Sequence, residues 1–202
     1  MTNFENISLI SNKSFWNSSY VTGHTGWDIG KISTPVKEYI DQITDKSISI
    51  LIPGCGNAYE AVYLSNNGFS NITLIDISDV LVNNLKLKFS GNENITVKNT
   101  DFFDHNGSYD LIIEQTFFCA VDPSMRNLYS DKMSSLLSYN GNLAGVLFDR
   151  EFEKDGPPYG GSEAEYRRLF SKNFDIKVLE KCRNSIDQRS GSEVFINLKP
   201  KK

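Results

Sequence analysis

Two apolar runs, each closed by glycine or an acid, constrain this chain more than anything else in it. The first, within residues 47–56, ends in Pro53-Gly54-Cys55-Gly56, and the second, residues 72–78, ends in Asp76-Ile77-Ser78. Between them lies a helix-length segment stopped by Gly68. A strand, a glycine turn, a helix and a second strand closed by an acid make a βαβ unit. Such a unit presents backbone and a carboxylate to a nucleoside at the strand ends.

The pattern continues along the chain. Residues 33–43 begin Ser-Thr-Pro and carry Val36, Tyr39, Ile40 and Ile43 at helical spacing, which predicts a capped amphipathic helix. A strand at 47–52, a helix at 57–67 and a strand at 72–76 follow. Ser78 is placed as the N-cap of a helix reaching Phe89, with Leu81, Leu85 and Phe89 on one stripe. Strands are expected at 95–98 and 109–114, then a helix from Pro123 to 137. Asn140-Gly141 is read as a turn into a fifth strand at 142–148. Residues 149–161, rich in Gly and Pro, read as a loop, 163–170 as a helix, and 174–181 and 193–199 as closing strands. The expected fold is α/β: a doubly wound, seven-stranded, mostly parallel sheet with an antiparallel C-terminal strand. At 202 residues the chain is expected to be a single domain.

Charge and cysteine usage exclude several functions. A net charge of -4 argues against a partner bound through its phosphate backbone, so no nucleic acid is expected. No apolar run reaches the roughly 18 to 20 residues of a membrane helix, and the first ten residues lack a signal peptide's pattern. A cytoplasmic monomer with no membrane partner is therefore expected. Three widely spaced cysteines, Cys55, Cys119 and Cys182, and two histidines suggest neither a disulfide framework nor a metal site.

The glycine turn narrows the ligand. Gly54 and Gly56 fit the first two places of a dinucleotide fingerprint, but the third falls on Tyr59, whose side chain crowds the close packing needed there. A P-loop fails because no Gly-Lys-Ser/Thr follows. A nucleoside without phosphates needs less. Asp76 is placed to accept the ribose hydroxyls, Asp101 to accept from an adenine amino group, and Phe102 to cover its face. Each is weak alone, since a strand-end Asp is often only a cap; in this order they point to S-adenosylmethionine.

An aromatic arm precedes the sheet. Trp16 and Tyr20 stand one helical turn apart, and Thr25-Gly26-Trp27-Asp28 reads as a turn. On the residues alone, packing on the core is the commoner fate of such rings.

Taken together, the chain resembles the class I S-adenosylmethionine-dependent methyltransferases, and more narrowly the thiopurine S-methyltransferase family with its plant halide and thiol methyltransferase relatives. The resemblance covers nearly the whole chain. It rests on Trp16-x-x-x-Tyr20 with Gly23-x-Thr25-Gly26-Trp27-Asp28, Pro53-Gly54-Cys55-Gly56, Asp76-Ile77-Ser78 and Asp101-Phe102-Phe103. It extends through Phe117-Phe118-Cys119-Ala120-x-x-Pro123-x-x-Arg126 to Gly156-Pro157-Pro158-Tyr159. It implies a Rossmann-like fold whose residues 1–31 form a lid, with Trp16, Tyr20 and Trp27 closing over the cofactor. Gly54 then lines the methionine end, Gly56 is a further cofactor contact, Asp76 holds the ribose, and Asp101 with Phe102 holds the adenine. Tyr20 stands where relatives often carry Trp. Gln115 falls where the halide and thiol branch tends to have Tyr beside the transferred methyl, which makes it a candidate for both cofactor contact and catalysis.

The implied reaction is transfer of a methyl group to a small anionic or soft nucleophile: a thiol or thiopurine, a halide, or thiocyanate. Such an acceptor needs no general base, in keeping with the lack of a convincing His or Lys base. Arg126 is the candidate for drawing in an anion, or else a surface helix charge; Phe15, Phe117 and Phe118 are apolar walls, or else plain core. Cys119 and Cys55 lack activating neighbours and are read as inert. Pro157-Pro158-Tyr159 looks like the Pro-Pro-Tyr of amino-methylating enzymes but follows the fifth strand rather than the fourth. The alternatives are a cofactor-binding regulator without turnover and a methyltransferase acting on another small molecule or a macromolecule.

Overall fold

The computed structural model describes residues 13–153 and 156–202. One mixed sheet of seven strands forms the centre, in the order β3-β2-β1-β4-β5-β7-β6. The strands are β1 (Ile50–Pro53), β2 (Ile72–Asp76), β3 (Ile95–Asn99), β4 (Tyr109–Gln115), β5 (Leu137–Phe148), β6 (Phe174–Lys181) and β7 (Glu193–Pro200). β1 pairs in parallel with β2 and β4, and β7 runs antiparallel to both β5 and β6. The helices are α1 (Lys13–Thr22), α2 (Thr34–Asp41), α3 (Tyr59–Asn66), α4 (Asp79–Lys88), α5 (Arg126–Leu136) and α6 (Glu163–Phe170).

Alternation along the central strands sorts side chains between two cores. Ile50, Ile52, Leu111 and Ile113 pack with Val36 and Ile40 of α2, Ala61 and Leu64 of α3, and Leu81 and Leu85 of α4. Leu51 and Ile112 face the other way, onto Tyr129 and Met133 of α5 and Tyr166 and Phe170 of α6. Both faces are buried, which is why these strands read as continuous apolar runs. The crossover from β3 to β4 carries no helix. There Phe102 packs at 5.5 Å from Tyr129 and 5.2 Å from Phe117, so aromatic rings cover that part of the sheet.

Most expected elements are present with shifted bounds: β1 begins at Ile50 rather than 47, and α5 at Arg126 after a 3-10 turn over Pro123–Met125. β5 is continuous from Leu137, and Asn140-Gly141 is an irregularity within it rather than a turn before it. The partner of β4 jumps from Leu137 to Asn142 while β4 advances only from Tyr109 to Leu111. A side chain at Gly141 would press on the Tyr109 carbonyl, so the bare backbone permits the bulge. α3 starts at Tyr59, two residues later than expected, because Gly54, Gly56 and Ala58 all have positive φ and prolong the turn. Among the described residues no helix is long and apolar enough to cross a membrane. Residues 1–12 of the expected lid lie outside the described residues.

Candidate active site

The strand order reverses between β1 and β4, and a cavity of about 180 Å³ opens at the carboxyl ends beside that point. Its floor comes from four successive strand ends: Gly54 after β1, Asp76 closing β2, Asp101 after β3 and Gln115 closing β4. Trp16, Tyr20 and Trp27 form its roof, and Pro157 and Pro158, joined by a cis peptide, stand at one side.

The glycine turn is tight for a reason the cavity makes plain. Gly54 has φ +54°, and a Cβ there would overlap the Phe117 ring. Only glycine satisfies both constraints. Asp76 is 9% exposed, and its carboxylate accepts from the Ser78 N–H at 2.9 Å and from the Gly56 and Ile77 N–H groups. Burial pushes its carboxyl up to about 6 despite those donors. Asp101 accepts from the Phe103 N–H at 2.8 Å through Oδ1. The Phe102 ring is 5% exposed, packs in the aromatic cluster with Phe103, Phe117 and Tyr129, and lines the cavity.

The arm is fastened to the turn. Trp27 packs edge-on against Trp16 at 5.3 Å and Tyr20 at 5.9 Å. Asp28 next to it accepts from the Asn57 amide, the Tyr59 hydroxyl at 3.2 Å and the Gly30 N–H at 2.7 Å. Tyr59, the residue that spoils a dinucleotide fingerprint, thus closes the turn against the arm. On the far side the Arg189 guanidinium donates to the Trp27 carbonyl at 2.8 Å and pairs with buried Glu193 at 3.2 Å.

The profile of the family described as Thiopurine S-methyltransferase (TPMT) matches residues 11–197. The chain belongs to that family. As a thiopurine S-methyltransferase family member it is an S-adenosylmethionine-dependent methyltransferase. "Probable thiol methyltransferase 2" of Arabidopsis thaliana is 30% identical over 184 residues, spanning 88% of this chain and 81% of the relative. Thiocyanate methyltransferase 1 of Brassica oleracea is 27% identical over the same shares, and thiopurine S-methyltransferase of Bos taurus is 26% identical over 82% of this chain and 78% of the relative. Among solved structures, the 1,6-didemethyltoxoflavin-N1-methyltransferase of Burkholderia thailandensis, crystallised with S-adenosylhomocysteine, superposes with a TM-score of 0.76 at 15% identity. It covers 100% of this chain and 92% of that one. The magnesium protoporphyrin IX methyltransferase of Synechocystis PCC 6803 gives 0.71 at 15% identity over 98% and 99%. At these identities the likeness is one of fold.

In this family member, nine of the ten site residues expected from sequence line one cavity: Trp16, Tyr20, Trp27, Gly54, Gly56, Asp76, Asp101, Phe102 and Gln115. Arg126 is not brought into it. Its guanidinium pairs with Glu165 at 2.6 Å, donates to the Gly160 carbonyl at 2.6 Å and lies 4.7 Å from the Phe118 ring centre. At 6% exposed it is neither a surface charge nor a cavity charge; it braces the loop that carries Pro157 and Pro158. Of the three phenylalanines, Phe117 lines the cavity rather than being plain core, Phe118 is core, and Phe15 is 44% exposed outside the cavity.

Other contributors in this methyltransferase escape a sequence reading. Glu114, fully buried, accepts from the Phe117 and Phe118 N–H groups at 2.5 and 3.0 Å and from the Tyr129 hydroxyl. Burial pushes its carboxyl up to about 7. An acid ending the apolar run Leu-Ile-Ile is the signal that could have flagged it. Thr116 has φ +57°, strained for a β-branched residue, and it turns the chain from Gln115 to Phe117 at the cavity edge. The Ser33 hydroxyl, expected to cap α2, instead donates to Gln115 Oε1 at 2.5 Å. The Cys119 thiol donates to the Thr116 carbonyl at 2.8 Å, and burial pushes it up to about 12, so it is no nucleophile at neutral pH.

Proposed function

We propose that this enzyme transfers the methyl group of S-adenosylmethionine to a small, soft nucleophile: a thiol or thiopurine sulfur, or an anion such as iodide or thiocyanate. The observation that carries this reading is the character of the cavity beyond Gln115. Phe117, Cys119, Val121, Met125, Pro157 and Pro158 line it together with Asp122; among the described residues the cavity has no histidine, and its one lysine, Lys31, is an exposed residue of the arm. When bound, the cofactor supplies an electrophilic methyl group on a sulfonium. An acceptor that is already an anion, or readily becomes one, needs alignment and exclusion of water rather than a base. The names of the relatives, which include thiol, thiocyanate and thiopurine methyltransferases, support the same acceptor class.

The residues fit the cofactor in separate roles. Asp76 accepts the ribose hydroxyls, Asp101 accepts from the adenine amino group, and Phe102 covers the face of the base. Gly54 and Gly56 allow the ligand to approach the backbone. Trp16, Tyr20 and Trp27 close over it, making residues 1–31 a lid on a single domain that spans residues 1–202. Gln115 sits between the cofactor and the acceptor space, held by Ser33. Arg126 positions the Pro157-Pro158 wall. We further propose a cytoplasmic monomer that binds no nucleic acid.

Methyl transfer from labelled S-adenosylmethionine to a panel of thiols, iodide and thiocyanate tests the reading, once S-adenosylhomocysteine has been seen to raise the melting temperature. Turnover on a member of the panel supports it. Cofactor binding without turnover anywhere on the panel favours a regulator, and Gln115, fixed by Ser33, is the feature that would explain it. The lid predicts that cofactor protects residues 13–31 from trypsin; equal cleavage with and without cofactor counts against it.

A further inference from the structure

Glu60 is buried in the cavity wall, and none of the roles above uses it. It is 4% exposed, lies in the first turn of α3 directly after the glycine turn, and accepts from its own backbone N–H and that of Ser33. No side chain among the described residues donates to it. The neighbouring acids are served differently: Asp28 by an amide and a hydroxyl, Asp76 and Asp101 by turn N–H groups.

The charged and titratable groups facing Glu60 come from several elements: Asp28 on the arm, Cys55 on the turn, Tyr59 on α3, Lys88 on α4 and Arg189 on the β6–β7 connection. Neither cation closes on it. Arg189 is held by Glu193 and the Trp27 carbonyl, and Lys88 donates to the Asn57 carbonyl at 2.7 Å. A desolvated carboxylate with no side-chain donor, facing a cavity, is a receptor for a cation.

The strand order says which cation. β3, β2 and β1 lie side by side, so a ligand with its base at Asp101 and its ribose at Asp76 carries its remaining end toward β1, the glycine turn and the start of α3. We infer that Glu60 binds the α-ammonium of the cofactor's amino-acid end. This rests on the S-adenosylmethionine reading and adds a residue to it.

Without a cation beside it, burial holds the Glu60 carboxyl up at about 7. An ammonium favours the ionised form, so binding below that pH expels a proton, and affinity climbs as the pH rises from 6 to 8. Asp76 also titrates in this region, but any ligand with a ribose engages it.

Calorimetry on the full chain with two ligands separates these effects. S-Adenosylhomocysteine carries the ammonium; 5′-methylthioadenosine has the same nucleoside and thioether without the amino-acid part. For Glu60→Gln, S-adenosylhomocysteine affinity at pH 8 falls about tenfold or more, as for loss of a charged hydrogen-bonding partner, while 5′-methylthioadenosine affinity stays within twofold. In the unmodified protein the pH 6 to 8 gain in affinity, and the proton release at pH 6.5, are larger for S-adenosylhomocysteine. That measurement stands even if the variant fails to fold. Equal loss for both ligands, no loss for either, or identical pH profiles overturns the inference. A wild-type protein that binds neither ligand overturns the cofactor reading instead.

Discussion

The cofactor half and the acceptor half of the cavity are assembled by different means. The first is made of consecutive strand ends, Gly54, Asp76 and Asp101, and each acid accepts from the N–H two residues on, Ser78 for Asp76 and Phe103 for Asp101; the longer contacts are Gly56 N–H to Asp76 and the Phe117 ring against Gly54. The second gathers distant segments. Ser33 reaches Gln115 across 82 positions, and Arg126 reaches Glu165 across 39 and Gly160 across 34. Local turn geometry therefore fixes where a nucleoside can lie, whereas the space for the nucleophile depends on how separate loops are braced. Acceptor preference can then change through a brace without disturbing the cofactor.

Four experiments break or sharpen that contrast. The largest effect is expected from Gly54→Ala, which places a methyl group in a left-handed conformation and into the Phe117 ring. A loss of about 3 kcal/mol in stability or S-adenosylhomocysteine affinity is expected, seen by melting and calorimetry. Unchanged values would show that Phe117 can move aside and that the turn is not rigid.

Asp76→Ala is expected to lower S-adenosylhomocysteine affinity by about 1 to 3 kcal/mol through a lost charged hydrogen-bonding partner. Unchanged calorimetric affinity would remove Asp76 from the site. Arg126→Gln should act on the other half. Its partner Glu165 is partly exposed, so a stability loss of about 1 to 2 kcal/mol is expected, with a raised acceptor KM and S-adenosylhomocysteine affinity within twofold. A parallel fall in cofactor affinity would mean the two halves are coupled through Phe118.

The smallest effect is a pH slope at the junction. The Glu114 carboxyl sits at about 7 in the folded chain against an ordinary 4.5, so the folded state keeps a proton that the unfolded state releases between those values. That contribution to stability is present below about pH 4.5 and is lost as the pH rises through 7. Glu60, also at about 7, and Asp76, at about 6 against 3.8, act in the same direction. Melting temperatures should fall from pH 5 to 7.5, and Glu114→Gln should flatten part of that fall. An unaltered slope would show that Glu114 is ionised throughout.

The comparison also marks what could be read before folding. β2 at Ile72–Asp76, α6 at Glu163–Phe170 and β6 at Phe174–Lys181 fall where periodicity and breakers place them. The Ser78 hydroxyl caps α4 by accepting from the Leu81 N–H, as its position predicts. The cap depends on an interaction within a few residues and the strands and helices on local pattern, so the sequence by itself determined the order of elements, the glycine turn and the strand-end acids. Only the tertiary structure decided the rest. Ser33 gave up its expected cap for Gln115, Asn140-Gly141 became a bulge because β4 pairs with β5 both before it, at Leu137, and after it, at Asn142, and Arg126 turned inward to Glu165. In each case a partner dozens of residues away outweighs a local preference worth about 1 kcal/mol, and that partner exists only once the sheet has assembled.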